Sequence, residues 1–313
     1  MPRKIIIDTD PGQDDAVAIL LALASPEDLD VLGIVAVAGN VPLALTERNA
    51  RRVVELAGRP DVPVHAGAVR PLVRPPITAE HVHGRTGLDG ADLPEPALPL
   101  QPQHGVDFIV ETLLDAEPGT VTLCTLGPLT DVALALNRAP AIAPRIREIV
   151  MMGGAYFEVG NITPTAEFNV YVDPEAADVV MRSGVPITML PLDVTHRALA
   201  TPDRLDRFRA LGNRAGATVA GMLGFSERFD KEKYAGAGAP IHDPNVVAWL
   251  LRPELYAGRR INVAVECASP LTLGMTVADY WRVTGREPNA LFLREVDDAG
   301  FFDLLVERLR RLP

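Results

Sequence analysis

The chain has 313 residues, 48% of them hydrophobic and 23% charged, and carries a net charge of −11. That composition is too apolar for a disordered chain, and the length is enough to bury a substantial core. The acidic balance argues against a phosphate-backbone partner, because such proteins present basic surfaces, so no nucleic acid is expected.

In chain order, Lys4–Asp8 reads as a buried strand and Asp14–Ala24 as a helix. The leading MPRKIII meets acid at Asp8, which leaves no apolar stretch long enough for a signal peptide. AVAILLALA and VLGIVAVAG each supply about half of the ~20 apolar residues a bilayer span requires, so no membrane partner is expected. Leu29–Ala38 predicts a second strand, Leu43–Ala57 a helix closed by Gly58-Arg59-Pro60, and Val62–His65 a short third strand. The Pro-rich stretch Arg70–Gln103 reads as a long loop. Val106–Asp115 predicts a helix, Thr120–Thr125 a strand and Leu129–Asn137 a helix. Glu148–Met152 reads as a strand, Gly153–Glu167 as a second long loop, Pro174–Ser183 as a helix and Ile187–Leu190 as a strand.

Continuous Val/Ile/Leu strands alternating with helices predict a mainly parallel sheet covered on both faces. After Thr201 come helices, then strands at Ile261–Glu266, Thr272–Val277 and Leu291–Arg294, then a last helix. With no linker and no repeat, residues 1–313 are expected to form one α/β domain. Its sheet is open and mostly parallel, with helices on both faces and a small antiparallel addition near the C-terminus. Cys124 and Cys267 lie in apolar runs and are expected as buried, reduced thiols of a cytoplasmic protein.

Ligands of open parallel sheets bind beyond the carboxyl ends of the strands, and the polar residues of this chain collect there. DTDPGQDD follows the first strand and places Asp8, Asp10, Asp14 and Asp15, four carboxylates, within eight residues. A helix N-terminus welcomes anions at about 0.3–1 kcal/mol each, which accounts for Asp14 and Asp15. Asp10 is left over, and two unit charges about 4 Å apart repel by about 4 kcal/mol at an effective dielectric near 20. Pro11-Gly12 folds the chain tightly enough for Asp10 and Asp15 to converge, so a bound hard cation is expected. Several carboxylates with backbone carbonyls suit Ca²⁺ better than Mg²⁺. The loop is not an EF-hand, since it lacks that motif's closing glutamate. Far downstream, Asp243 follows His242 and opens an apolar helix. Alone it reads as an N-cap aspartate with Pro244 at the first helical position. His242, His83 and His196 read alone as structural or solvated histidines.

Eight stretches change that reading: DTDPGQDDAVAILLAL, VAGN, HGRTGLDG, LGPLTDVALAL, MMGGA, NITPTAEFNVYVDPEAA, LDVTH and HDPNVVAW. From Lys4 to about Ala299 they resemble, in order, the signatures of the nucleoside hydrolases, the inosine-uridine-preferring N-ribohydrolase family. The resemblance implies an open α/β fold with one Ca²⁺ at the foot of a ribose pocket. It implies hydrolysis of the N-glycosidic bond of ribonucleosides to ribose and free base. Asp10, Asp15 and Asp243 are implied as Ca²⁺ ligands together with the backbone carbonyl of Leu126, and Asp10 as the base toward a Ca²⁺-bound water. Asp14, Asn40, Asn161, Glu167 and Asn169 are implied as sugar contacts, the Asn161/Glu167 pair near the 5′-hydroxyl, and Met152 as pocket lining. His242 is implied to overhang the leaving base, and His83 to lie near the substrate on a closing lid. Phe168 packs against the ribose or fills core. Family members are commonly dimers or tetramers, so a homodimer or homotetramer is expected.

The residue types suit that chemistry. Breaking an N-glycosidic bond builds an oxocarbenium-like sugar, as in glycoside hydrolysis, and a ring of carboxylates and amides tolerates its charge. A haloacid-dehalogenase-type phosphatase shares the IIIDTD opening, but Gly12 stands where that motif needs Thr or Val. A non-catalytic Ca²⁺-dependent nucleoside- or ribose-binding protein is the remaining alternative, although such a protein has no use for both Asp10 and His242. No Gly-rich phosphate loop is present, so nucleosides rather than nucleotides are expected. Contacts to the base are expected from Gly221–Pro240 and Arg70–Asp89, with Arg228, Phe229 and Tyr234 as candidates; Glu227 and Arg228 read equally as solvated charges. Asp8 is expected to brace the loop through backbone hydrogen bonds.

Overall fold

The computed structural model describes residues 1–234 and 238–313, and for 227–234 its account stops at the backbone. Strand β1 (Arg3–Thr9) carries the isoleucine run at the centre of the sheet. Ile5 and Ile7 enter the hydrophobic core on one face while Ile6 enters the core on the other. A strand buried on both faces cannot alternate polar and apolar residues, which is why the run is continuous. Each such side chain contributes about 1.5–3 kcal/mol by leaving water.

Helix α1 (Gln13–Leu23) follows at once and is buried at every position except Asp14. A helix apolar all round belongs inside a protein, and α1 packs against the helices Leu43–Leu56, Arg214–Tyr234 and Pro244–Leu251. Strands β2 (Leu29–Ala36), β3 (Val64–Ala66), β4 (Val121–Thr125), β5 (Ile146–Met152) and β6 (Ile187–Leu190) continue the parallel set. A two-residue ribbon, β7 (Leu199–Ala200) with β8 (Ala239–Pro240), lies apart from the main sheet. Strands β9 (Tyr256–Val265), β10 (Thr276–Asp279) and β11 (Ala290–Val296) close the chain's sheet-forming segments.

The nine-stranded sheet runs β10-β9-β11-β6-β5-β4-β1-β2-β3. From β1 the chain winds outward to β2 and β3, then returns to β4 on the other side. That reversal opens a crevice between β1 and β4, where ligands of such sheets bind.

The expected architecture holds, with local differences. β9 is antiparallel to both β10 and β11, but β11 is parallel to β6. The third C-terminal strand therefore extends the parallel sheet, and the antiparallel feature is one inserted strand and its edge partner. The stretch Arg70–Gln103 contains a short helix, Glu80–His83, and a five-residue helix, Phe168–Val172, follows directly on the expected loop Gly153–Glu167. Cys124 is buried, whereas Cys267 lies just past β9 and is half-buried; both are free thiols. Among the described residues, no helix is long and apolar enough to cross a membrane.

The backbone carbonyl of Asp8 accepts from Leu126 N–H at 2.8 Å, a backbone bond of the kind expected of it, while its side chain takes no part in the loop. The buried carboxyl faces Asp131, also fully buried, and neither Asp8 oxygen finds a neutral donor. Two carboxyl groups bond only through a proton, so the pair retains one. Burial, reinforced by Asp131, holds Asp8 well above the usual carboxylate range, and burial pushes Asp131 up to about 7. The folded protein therefore binds more protons here than the unfolded chain between the ordinary carboxylate pKa and about pH 7. Stability contributed by the pair is present at low pH and lost as pH rises through that window. Asp131→Asn keeps the acceptor for Ala68 N–H, which donates to Oδ1 at 2.8 Å. Urea denaturation at pH 5 and pH 8 should show the variant losing less stability across that interval than the parent, by roughly 1–3 kcal/mol. Equal losses in both proteins would remove the shared proton.

Candidate active site

The residues after β1 fold back on the start of α1. Asp15, in the first turn, accepts from Gly12 N–H through Oδ2 at 3.0 Å and from the Thr9 hydroxyl through Oδ1 at 2.6 Å. Asn40, just beyond β2, ties the loop from the other side. Its N–H donates to Asp10 Oδ2 at 2.7 Å, and its Nδ2 donates to Asp10 O at 3.1 Å and Asp15 Oδ2 at 3.2 Å. Two glycines let these groups approach. A Cβ on Gly39 would sit 2.1 Å from Asp10 Oδ2, and one on Gly127 would sit 2.4 Å from Asp10 Oδ1.

Asp243 arrives at the start of the helix Pro244–Leu251, as expected for an N-cap, yet its side chain makes no capping bond. It turns instead toward the aspartate loop. One carboxylate oxygen from each of Asp14, Asp15 and Asp243 lies within 4.8 Å of the others. Asp15 and Asp243 belong to the expected metal set, and the third member of the triad, Asp14, is the residue expected at the sugar. Asp10 stands beside it, and its Oδ1 is buried without a hydrogen-bond partner. Burial raises the carboxyl pKa of Asp10, and Asp15 raises it further. Burial and then Asp14 do the same to Asp15. Asp243 is held well above the usual range by burial and then by Asp14, Asp15 and Asp10. Carboxylates so placed ionise together only beside a compensating charge. An orphaned buried oxygen and converging hard donors fit an oxygen-preferring cation.

Above this cluster opens a pocket. Asp14, Asn40, His83, His242 and Asp243 line it together with Leu126, Met152, Asn161, Glu167 and Asn169. Asp10 and Asp15 are not part of the lining. Several sugar-contact candidates have one end tied to the scaffold. Glu167 caps the helix Phe168–Val172, with Oε1 accepting from Asn169 N–H at 2.8 Å and Oε2 from Gly154 N–H at 2.9 Å. Burial raises its pKa. Asn161 Oδ1 accepts from Phe168 N–H at 2.9 Å, and Asn169 Nδ2 donates to Leu126 O at 2.6 Å. Phe168 fills core, packing with Ala79 and Val172, and also lines the pocket.

His83 ends the short helix Glu80–His83, its Nδ1 2.6 Å from Gln13 Oε1, and burial lowers its pKa. Gln13 Nε2 donates to the carbonyls of His83 and Asp89, so the segment from His83 to Asp89 is clamped to the start of α1. Nothing in the sequence singled out Gln13. His196 lies off the pocket wall, its ring 5.7 Å from that of His242. The segments expected to meet the base contribute Ala79, His81, Val82, Leu223 and Ser226 to the lining. The side chains of Glu227, Arg228, Phe229 and Tyr234 lie outside what the structure describes.

Residues 5–303 match the family described as inosine-uridine preferring nucleoside hydrolase. An uncharacterised protein of Schizosaccharomyces pombe is 56% identical over 310 residues, covering 99% of this chain and all of the relative. The pyrimidine-specific ribonucleoside hydrolase RihA of Escherichia coli is 50% identical over 312 residues, covering 99% of each. Among solved structures, the purine-preferring ribonucleoside hydrolase from Gardnerella vaginalis superposes with a TM-score of 0.92 at 32% identity, covering 98% of each chain. The plant nucleoside hydrolase PpNRh1 superposes with a TM-score of 0.90 at 31% identity, covering 99% of each. The chain belongs to the inosine-uridine preferring nucleoside hydrolase family and is a hydrolase acting on the N-glycosyl bond of ribonucleosides.

Proposed function

We propose that this chain hydrolyses pyrimidine ribonucleosides to ribose and free base, with Ca²⁺ held by its aspartate cluster. The observation that carries this reading is the convergence of Asp14, Asp15 and Asp243 beside the unpartnered Asp10 Oδ1, at a pocket that His242 lines. The preference for pyrimidines is supported by the 50% identity to RihA, against 32% to the purine-preferring structure. Asp10, Asp15, Asp243 and the Leu126 carbonyl are the proposed ligands, and Asp14, which both joins the carboxylate triad and lines the pocket, is the proposed contact to the sugar hydroxyls beside them. When bound, the cation neutralises the carboxylates and supplies Lewis acidity toward a nucleophilic water.

Asp10 takes a proton from the attacking water. Asp14, Asn40, Asn161, Glu167 and Asn169 grip the sugar hydroxyls, and their oxygens offset the positive charge that grows as the C1′–N bond lengthens. Because their other ends are anchored, little ordering remains for the substrate to impose. Met152 packs against the sugar, His83 closes over it, and His242 faces the base.

The proposal extends to one catalytic domain across residues 1–313, since the sheet uses strands from Arg3 to Val296. Free thiols at Cys124 and Cys267 support a cytoplasmic setting. Assembly as a homodimer or homotetramer is supported by the edge strand β10 and the turn after it, where Val277, Trp281 and Val283 are exposed.

Ribose release should be measured from uridine, cytidine, inosine, adenosine and guanosine, with Ca²⁺ and after exhaustive chelation. Uridine and cytidine should lead, and chelation should lower turnover at least about 100-fold, reversibly on adding Ca²⁺. Tight nucleoside binding without any release would leave a binding protein instead. Asp10→Ala should fold, with a melting temperature in chelated buffer equal to or above the parent's because repulsion is relieved. Its kcat should fall by about 10²–10⁴-fold. Near-normal turnover in that variant would take Asp10 out of the mechanism.

A further inference from the structure

The LDVTH stretch is a motif that the proposed chemistry leaves without a task. It forms the short helix Leu192–Thr195 after β6. Asp193 anchors the loop that carries Asn161, accepting from the N–H groups of Tyr156 at 3.1 Å and Phe157 at 2.8 Å. Thr195 points elsewhere. It is fully buried, and its hydroxyl lies 2.8 Å from His242 Nδ1.

We infer that Thr195 is a positioning residue for the leaving base: its hydroxyl fixes the His242 ring so that Nε2 carries the hydrogen presented to the pocket. This inference rests on the reading of His242 as the group facing the base. The main chain of His242 is already held. Its N–H donates to Asp14 Oδ2 at 3.2 Å, and its carbonyl accepts from Asn245 Nδ2 at 3.0 Å. Asn245 is held in turn by the Tyr256 hydroxyl, which donates to Oδ1 at 2.9 Å. With the backbone fixed, ring orientation and tautomer are what remain to be set.

Hydrogen-bond accounting sets them. A hydroxyl has one hydrogen to place, and burying it without an acceptor costs about 1–3 kcal/mol. Among the described residues, His242 Nδ1 is the acceptor within reach of the Thr195 hydroxyl. Nδ1 then holds a lone pair, and the ring hydrogen of neutral imidazole sits on Nε2. With Thr195 replaced by valine, Nδ1 loses this donor. The tautomer that carries its hydrogen on Nδ1 and turns a lone pair toward the base, which repels the electrons that must leave, is then no longer disfavoured by that contact.

The step balances without an added reagent. Water oxygen bonds C1′, the C1′–N bond breaks, and its electron pair goes to the base. The base leaves hydrogen-bonded by Nε2–H and takes its proton from bulk water, while Asp10 passes the water's proton to bulk. A neutral histidine serves as an electrophile, not as a full proton donor.

The test compares Thr195→Val, Thr195→Ser and His242→Ala on uridine and on 4-nitrophenyl β-D-ribofuranoside, whose phenolate leaves without help. T195V should lower kcat on uridine about 10- to 100-fold with KM within about threefold, and lower kcat on the nitrophenyl riboside far less. T195S should restore most of the loss. Equal losses of T195V on both substrates would mean a structural role and overturn the inference. A normal T195V beside a crippled H242A would overturn it too, leaving His242's role intact. A normal H242A on uridine would instead sink the reading of His242 underneath it. Imidazole ¹⁵N shifts of the unmodified protein give a readout independent of any variant's folding. The Nε2–H tautomer of His242 is expected, and Nδ1–H would overturn the assignment.

Discussion

Repulsion among carboxylates held out of water is the constraint around which the rest of the molecule is arranged. Asp10, Asp15 and Asp243 are nearly fully buried, and each is pushed toward its neutral form by burial and by its neighbours. Donors offset part of that cost, among them the Gly12 and Asn40 N–H groups and the Thr9 hydroxyl. Side chains had to be deleted at Gly39 and Gly127 for the Asp10 carboxylate to fit. The parallel sheet supplies the crevice in which strand ends, a helix start and a distant helix meet. None of these features is needed by the core; all are needed by the charge.

Around the cluster the fold uses each polar side chain twice. Glu167 closes a helix and lines the pocket, Asn40 laces two aspartates and lines the pocket too, and Asn161 holds Phe168 N–H from the pocket wall. Residues tied at one end hold their free end in place, which is how a loop-rich site acquires the precision of a scaffold. The cost is that sugar recognition and local folding cannot be altered separately.

Much of this was legible in the chain. Continuous apolar strands identify a doubly covered parallel sheet because two buried faces leave no polar alternation, and the Asp8–Asp15 run declares an unbalanced charge. What the sequence hid is pairing at a distance. Asp8 reads as a strand-end residue until Asp131 is folded beside it. Asp243 reads as a cap until its side chain is found to make no capping bond. β11 reads as part of an antiparallel addition because nothing local tells Ala290–Val296 that β6 will be its neighbour. Thr195 and Gln13 were invisible for a related reason: a single hydroxyl or amide carries no pattern, and its meaning lies wholly in the atom opposite.

The contact between Asn169 Nδ2 and Leu126 O has a thermodynamic consequence. A carbonyl oxygen has two lone pairs, so this one keeps a second acceptor position while it meets the amide, and in the proposed function that position goes to the cation. Asn169 also lines the pocket, which in the proposed function makes it a bridge between two binding events. Whatever draws Asn169 toward a bound sugar changes the field of that oxygen at the cluster. By linkage, whatever occupies the cluster must change the grip on the sugar by the same factor. Two affinities that look like separate properties of one pocket are then a single coupled quantity, set in part by one peptide group.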